Sequence, residues 1–138
     1  MSEIKWKAAK YIRLSHANEK IAESESVGNQ RKLLNSFIEN QPDMEVAGEW
    51  IDDGVTGLIY DRPQFSEMMA AVEAGTVNCI IVKDLSRFGR EFIDTGKYLR
   101  RVLPAYGVRF ISLLDNIDTL KDSTDDLGIS VKTVLNDS

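Results

Sequence analysis

Only one cysteine, Cys79, and one histidine, His16, occur in the 138 residues. A lone cysteine cannot supply an internal disulfide framework, which makes a reducing cytoplasm the simplest home. Apolar runs approaching the length of a membrane helix are missing, and so is the long apolar stretch of a secretory signal at the N-terminus. Repeats and low-complexity segments are absent too, so the length suits one domain able to bury a real core. Excess positive charge is also lacking: the net charge is -5. Taken alone, that value argues against nucleic acid as a partner, because phosphate binding normally leaves a basic footprint.

The average conceals a division. Residues 1–20 carry a net +3, 21–82 carry -8, 83–109 carry +4 and 110–138 carry -4. Positive charge is concentrated in two segments, and those segments hold the most informative motifs.

Apolar periodicity predicts alternating strands and helices. "WKAAKYIRLS" (6–15) reads as a first strand. Leu33, Leu34, Phe37 and Ile38 fall at helical spacing in 26–41, which Pro42 ends. "MEVAGEWI" (44–51) reads as a second strand, and "DDGVTGLIYDR" (52–62) as a loop rich in turn formers. Residues 63–75 start with Pro63 at a first helical position, place Phe65, Met68, Met69 and Val72 on one face, and stop at Gly75. "VNCIIVK" (77–83) is a continuous apolar run, as expected of a parallel strand covered on both faces. A helix over 91–106 would carry Phe92, Leu99, Val102, Leu103 and Tyr106 on one stripe, with Pro104 limiting its last turn, and 108–114 reads as the next strand. The fold class is therefore α/β, with a mainly parallel central sheet flanked by helices. From Asp115 the chain turns polar and acidic, then begins an amphipathic pattern that reaches the C-terminus with no stop signal, as a piece of a longer chain would.

Ligands of a parallel α/β sheet gather beyond the carboxyl ends of its strands. The first strand ends "YIRLS", where alternation puts Tyr11, Arg13 and Ser15 on one face and Ile12 and Leu14 on the other. A serine hydroxyl is a weak nucleophile until something takes its proton or stabilises the charge it generates, and guanidinium groups do the second when the electrophile is a phosphate. "KDLSRFGR" (83–90) sets Arg87 and Arg90 three apart where a buried strand gives way to a helix, so both can face one anion; alternatively, they solubilise an exposed loop. His16 is a poor base for Ser15, since neighbouring strand residues point to opposite faces. Cys79 suits the core better than a reactive thiol. Asp52 and Asp53 resemble half a metal site but have no histidine or glutamate at ligand spacing, which favours a turn-forming role. Gln30 and Arg62 alone read as a helix-face polar group and a helix-start cation.

Four motifs in order, "YIRLS", "SVGNQRKLL", "DDGVTGLIYDRPQF" and "IIVKDLSRFGR" followed by a helix and "GVRFISLLD", resemble the catalytic domain of the serine recombinases, the resolvase and invertase family. The likeness runs from about Trp6 to Asp118, and the "KDLSRFGR" form most resembles the large recombinases of conjugative and mobilisable transposons. It implies a domain over 1–120 and, over 121–138, the start of a linking helix that precedes DNA-binding domains. It implies Ser15 as the nucleophile that becomes joined to a DNA 5′ phosphate, with Arg13, Arg87 and Arg90 binding the scissile phosphate. Arg62, Gln30 and Tyr11 would support the pocket. The implied partners are double-stranded DNA at specific recombination sites and further copies of the chain, a homodimer assembling to a tetramer, in a bacterial cytoplasm with no metal, nucleotide or membrane. Two departures stand out: Ser86 occupies a place where many relatives have aspartate, although Asp84 lies two residues earlier, and Thr56 replaces a more usual serine. Competing readings are a catalytically idle assembly module on the same fold and a metal-dependent nuclease using Asp52 and Asp53.

Overall fold

The computed structural model describes residues 3–14, 26–52, 62–88 and 92–121. Among the described residues, five strands form one sheet in the order β2-β1-β3-β4-β5. β1 (Trp6–Arg13), β2 (Met44–Asp52), β3 (Cys79–Val82) and β4 (Arg109–Ser112) run parallel, and β5 (Ile117–Asp118) is antiparallel to β4. All four residues of β3 are buried, as its unbroken apolar sequence requires of a strand covered on both faces.

Alternation along β1 assigns its side chains to two cores. Ala9 and Tyr11 join Ile80, Val82 and Phe110 under α2 (Pro63–Glu73), which contributes Phe65, Met68 and Val72. Ala8 and Ile12 join Cys79, Ile81 and Ile111 under α1 (Val27–Glu39), which contributes Leu34 and Ile38. α1 starts where the Ser26 hydroxyl accepts the Asn29 N–H at 3.1 Å, the expected capping arrangement. A polar cluster pins α1 to the sheet: Lys10 donates to Asn35 at 2.7 Å and pairs with Glu49 at 3.2 Å, while Arg31 meets Glu49 with two donors. The parallel β1–β2 register slips by one residue beside Ala8 and Ala9, opposite Gly48. That slip brings Arg13 opposite Asp52. A side chain at Gly48 would stand 2.7 Å from the Trp50 ring, so the close approach needs glycine.

Two expectations change. The helix anticipated over 91–106 is α4 (Phe92–Lys97), a wide π turn (Tyr98–Val102) and α5 (Leu103–Ala105). Pro104 has no N–H for the carbonyl of Arg100, and its ring would crowd that carbonyl. The wide turn, with the Leu103 N–H reaching back to the Tyr98 carbonyl, absorbs the conflict. The extra residue in that turn carries Tyr106 off the buried stripe: Tyr106 is 49% exposed, whereas Leu99 and Leu103 are fully buried. Second, the polar stretch after Asp115 contains β5, which sequence reading missed. Asn116 turns the chain with φ 56°, Ile117 is buried, and Asp118 grips Arg109 at 3.0 and 2.7 Å.

Candidate active site

The carboxyl end of β1 is where the candidate residues meet. The Tyr11 hydroxyl donates to Asp52 Oδ2 at 2.7 Å. The same carboxylate accepts the Gln64 N–H on Oδ1 and the Phe65 N–H on Oδ2, both at 3.0 Å. Asp52, the last described residue of β2, thus satisfies the first turn of α2, whose residue before the helix, Arg62, offers no cap of its own. Burial, reinforced by the hydrogen bond to Asp52, pushes the Tyr11 phenol well above its usual range, so it stays a neutral donor. With both oxygens engaged and only 4% exposed, Asp52 is a structural anchor, beyond the turn-forming role read from sequence. Asp52→Ala removes a helix cap worth about 1 kcal/mol and strands a buried hydroxyl at about 1–3 kcal/mol. Urea denaturation is expected to show a loss of roughly 2–4 kcal/mol.

α3 (Leu85–Phe88) is the short helical segment described after β3. Three successive carbonyls, up to its last described residue, accept guanidinium N–H groups. Arg13 donates through Nη2 to the Ser86 carbonyl and through Nε, at 3.2 Å, to the Arg87 carbonyl. Arg62 donates through Nη1 to the Phe88 carbonyl. At the other end the Leu85 N–H donates to Asp115 Oδ2 at 2.6 Å, and that oxygen also accepts the Ser112 hydroxyl at 2.7 Å. Phe88 supplies the apolar anchor, edge-on to Phe110 at 4.8 Å and to Phe65 at 5.3 Å.

The attachment is reciprocal. Arg87 Nη1 donates to the Arg13 carbonyl at 2.9 Å, and Gln30 Nε2 reaches the same oxygen at 3.3 Å. Each arginine therefore holds the other's backbone across 74 positions of sequence. Arg13 and Arg87 are 5% and 4% exposed, which rules out a solubilising role for Arg87. The Arg62 guanidinium lies 3.7 Å from the Phe65 ring centroid and 6.0 Å from that of Tyr11. Three cations thus converge on one end of the sheet in a low-dielectric setting, an arrangement that favours an anion. A carboxylate stands beside them despite Ser86: Asp84 Oδ2 is 3.5 Å from Arg87 Nε, and its Oδ1 accepts the Ser86 hydroxyl.

Tyr11, Arg13, Gln30, Arg62 and Arg87 are accordingly brought together. Ser15, His16, Asp53, Thr56 and Arg90 lie outside the described residues. Cys79 is wholly buried, and burial pushes its thiol up to about 12, in keeping with a core residue. Among the described residues no group of three or more histidine, cysteine, aspartate or glutamate side chains is placed to share a metal ion. Sequence reading missed Asp115, although it stands just past the carboxyl end of β4, the position such a sheet makes informative.

The fold recurs in known proteins. No protein with a curated description matched the chain. Among solved structures, the N-terminal catalytic domain of TP901-1 integrase superposes with a TM-score of 0.76 at 24% identity, covering 94% of both chains. A resolvase family site-specific recombinase from Streptococcus pneumoniae gives 0.71 at 27% identity, covering 96% of this chain and 89% of the other. The C-terminal catalytic domain of ISC1926 TnpA, an IS607-like serine recombinase, gives 0.61 at 20% identity over 93% and 79%. The family model described as the resolvase N-terminal domain matches residues 8–137, taking in all of the sheet but the first two residues of β1, with α3, Arg13 and Arg87. The chain therefore belongs to the resolvase family, as a catalytic domain of the site-specific serine recombinases that act on DNA.

Proposed function

We propose that Ser15 is the nucleophile of this domain and that Arg13, Arg87 and Arg90 bind the scissile phosphate. One observation carries the reading: the reciprocal bonds of Arg13 and Arg87 at the carboxyl end of β1. Covalent geometry gives two residues no more than about 7 Å of reach, so Ser15 stays close to Arg13, and about 11 Å ties Arg90 to Arg87. Ser15 Oγ attacks the phosphorus, a P–O bond forms as the bond to the 3′ oxygen breaks, and the serine proton leaves while the 3′ oxygen gains one. Religation reverses each change when a 3′ hydroxyl attacks the phosphoserine. The guanidinium groups neutralise charge on the non-bridging oxygens, the main demand of phosphoryl transfer. Arg62, Gln30 and Tyr11 are positioning residues, holding α3 and the end of β1. In the complete recombinase the chain would work as a dimer that assembles to a tetramer on specific sites in a bacterial cytoplasm, with 121–138 beginning the linking helix.

The test is adduct trapping with the complete recombinase and duplex DNA carrying its recombination site. A denaturant-resistant protein–DNA adduct with a free 3′ hydroxyl is expected, undiminished in EDTA. Cleavage without an adduct, lost on chelation, would replace serine chemistry by the metal-dependent alternative.

A further inference from the structure

Seven basic residues give 83–109 its positive charge. Arg87 and Arg90 belong to the proposed phosphate site, Arg109 is paired with Asp118 at 2.7 Å, and Lys83 has a partner of its own. Lys97, Arg100 and Arg101 remain. All three are exposed on α4 and the π turn, opposite the buried Leu99 and Leu103. None has an ion-pair or hydrogen-bond partner among the described residues, whereas Lys10, Arg31, Arg87 and Arg109 all have acidic partners. Three exposed cations within five residues outnumber the one exposed carboxylate of the same helix, Asp94, and give the face a net positive charge. A polyanion laid along it would be attracted.

We infer that Lys97, Arg100 and Arg101 form a contact surface for the phosphate backbone of duplex DNA on the flank of the cleavage site. This rests on the reading of the chain as a DNA-cleaving domain and adds a surface to it. Tyr98, between Lys97 and Arg100, packs edge-on at 5.7 Å from Phe88, the neighbour of Arg87. The helix that bears the cations is thereby fixed against the segment that carries Arg87, and a duplex running from the phosphate site along that helix would meet them. Arginine forks suit phosphate, and backbone contacts of this kind fix register without reading sequence. Leu99 and Leu103 tie the face to the core.

The experiment is fluorescence anisotropy with this 138-residue chain and a labelled duplex of arbitrary sequence, titrated at several salt concentrations starting near 50 mM. Removing three phosphate contacts in Lys97→Gln/Arg100→Gln/Arg101→Gln is expected to lower the slope of log affinity against log salt by about 2–3 and to raise Kd roughly tenfold or more at the lowest salt. Arg101→Glu alone serves as a second variant, and Lys32→Gln, exposed on α1 on the other side of the sheet, should leave both values unchanged. Circular dichroism checks that each variant is folded. Unchanged slope and Kd in the folded triple variant, or no binding by the parent chain at low salt, overturns the inference. So does loss of self-association in sedimentation with DNA binding intact, which would assign the face to a second copy. Because the probe has no recombination site and the assay needs no cleavage, failure of the Ser15 reading would show only in adduct trapping.

Discussion

Ser15→Ala in the complete recombinase is expected to abolish the covalent protein–DNA adduct while leaving site binding nearly intact. The hydroxyl is the only protein atom the proposed mechanism asks to form a bond to phosphorus, and the arginines, however well placed, supply no oxygen nucleophile. Removing a nucleophile from a constellation that acts as a unit typically costs roughly 10⁴-fold or more in rate, so no adduct should be seen in denaturing gels at times when the parent has reacted fully. Binding should change little, because deleting one hydroxyl leaves every guanidinium and the whole basic surface in place. Ser15→Cys separates nucleophile from scaffold: a thiolate can attack, though its geometry and leaving-group properties differ, so a slow adduct of changed chemical lability is the expected result. Adducts forming at normal rate in Ser15→Ala would transfer the nucleophile to another residue.

What the sequence disclosed and what it concealed follow from the range of the interactions. β3 was legible because a strand buried on both faces is apolar throughout, and all four of its residues are buried. α2 was legible because Pro63 and Gly75 mark its limits and Phe65, Met68 and Val72 share a face. β5 was hidden because two residues carry no periodicity and what holds them is pairing with β4 and the grip of Asp118 on Arg109, nine positions earlier. In the site, strand-end position singled out Arg13 beforehand, and the turn into a helix singled out Arg87. Their mode of attachment was not readable. Both donate to backbone carbonyls, at 3.2 and 2.9 Å, and a carbonyl is present whatever side chain the residue bears. The anchoring roles of Asp52 and Asp115 were similarly obscured, since their partners lie 12 to 41 positions away for Asp52 and 30 for Leu85 on Asp115. The exposed face at Lys97, Arg100 and Arg101 was visible only as net charge until the helix phase separated it from Leu99 and Leu103.

Arg87→Lys is expected to reduce the rate of adduct formation about 10²–10³-fold, the usual cost of one preorganised donor to a developing oxyanion. An arginine has five N–H groups in a planar fork, so it can anchor to backbone with some and address a phosphate with others. Lysine offers one ammonium, a point charge on a flexible stem with shorter overall reach. At position 87 it must choose between the Arg13 carbonyl, which the native Nη1 reaches at 2.9 Å, and the phosphate. Choosing the carbonyl leaves the phosphate short of a donor, and choosing the phosphate loosens the contact between β1 and α3. The stability change should be smaller, about 1–2 kcal/mol for a buried charged donor, because Gln30 also donates to that carbonyl and Phe88 still anchors α3. The two quantities separate the roles. At a temperature where the variant remains folded, a destabilisation of that size leaves the folded fraction close to one, so a hundredfold rate deficit must arise at the phosphate. Arg13→Lys should behave alike, and combining the two should cost less than the sum of their separate barriers, since each side chain holds the other's backbone. Additive losses in the double variant would mean that the two guanidinium groups act independently, and full adduct formation in either single variant would remove that residue from the phosphate site.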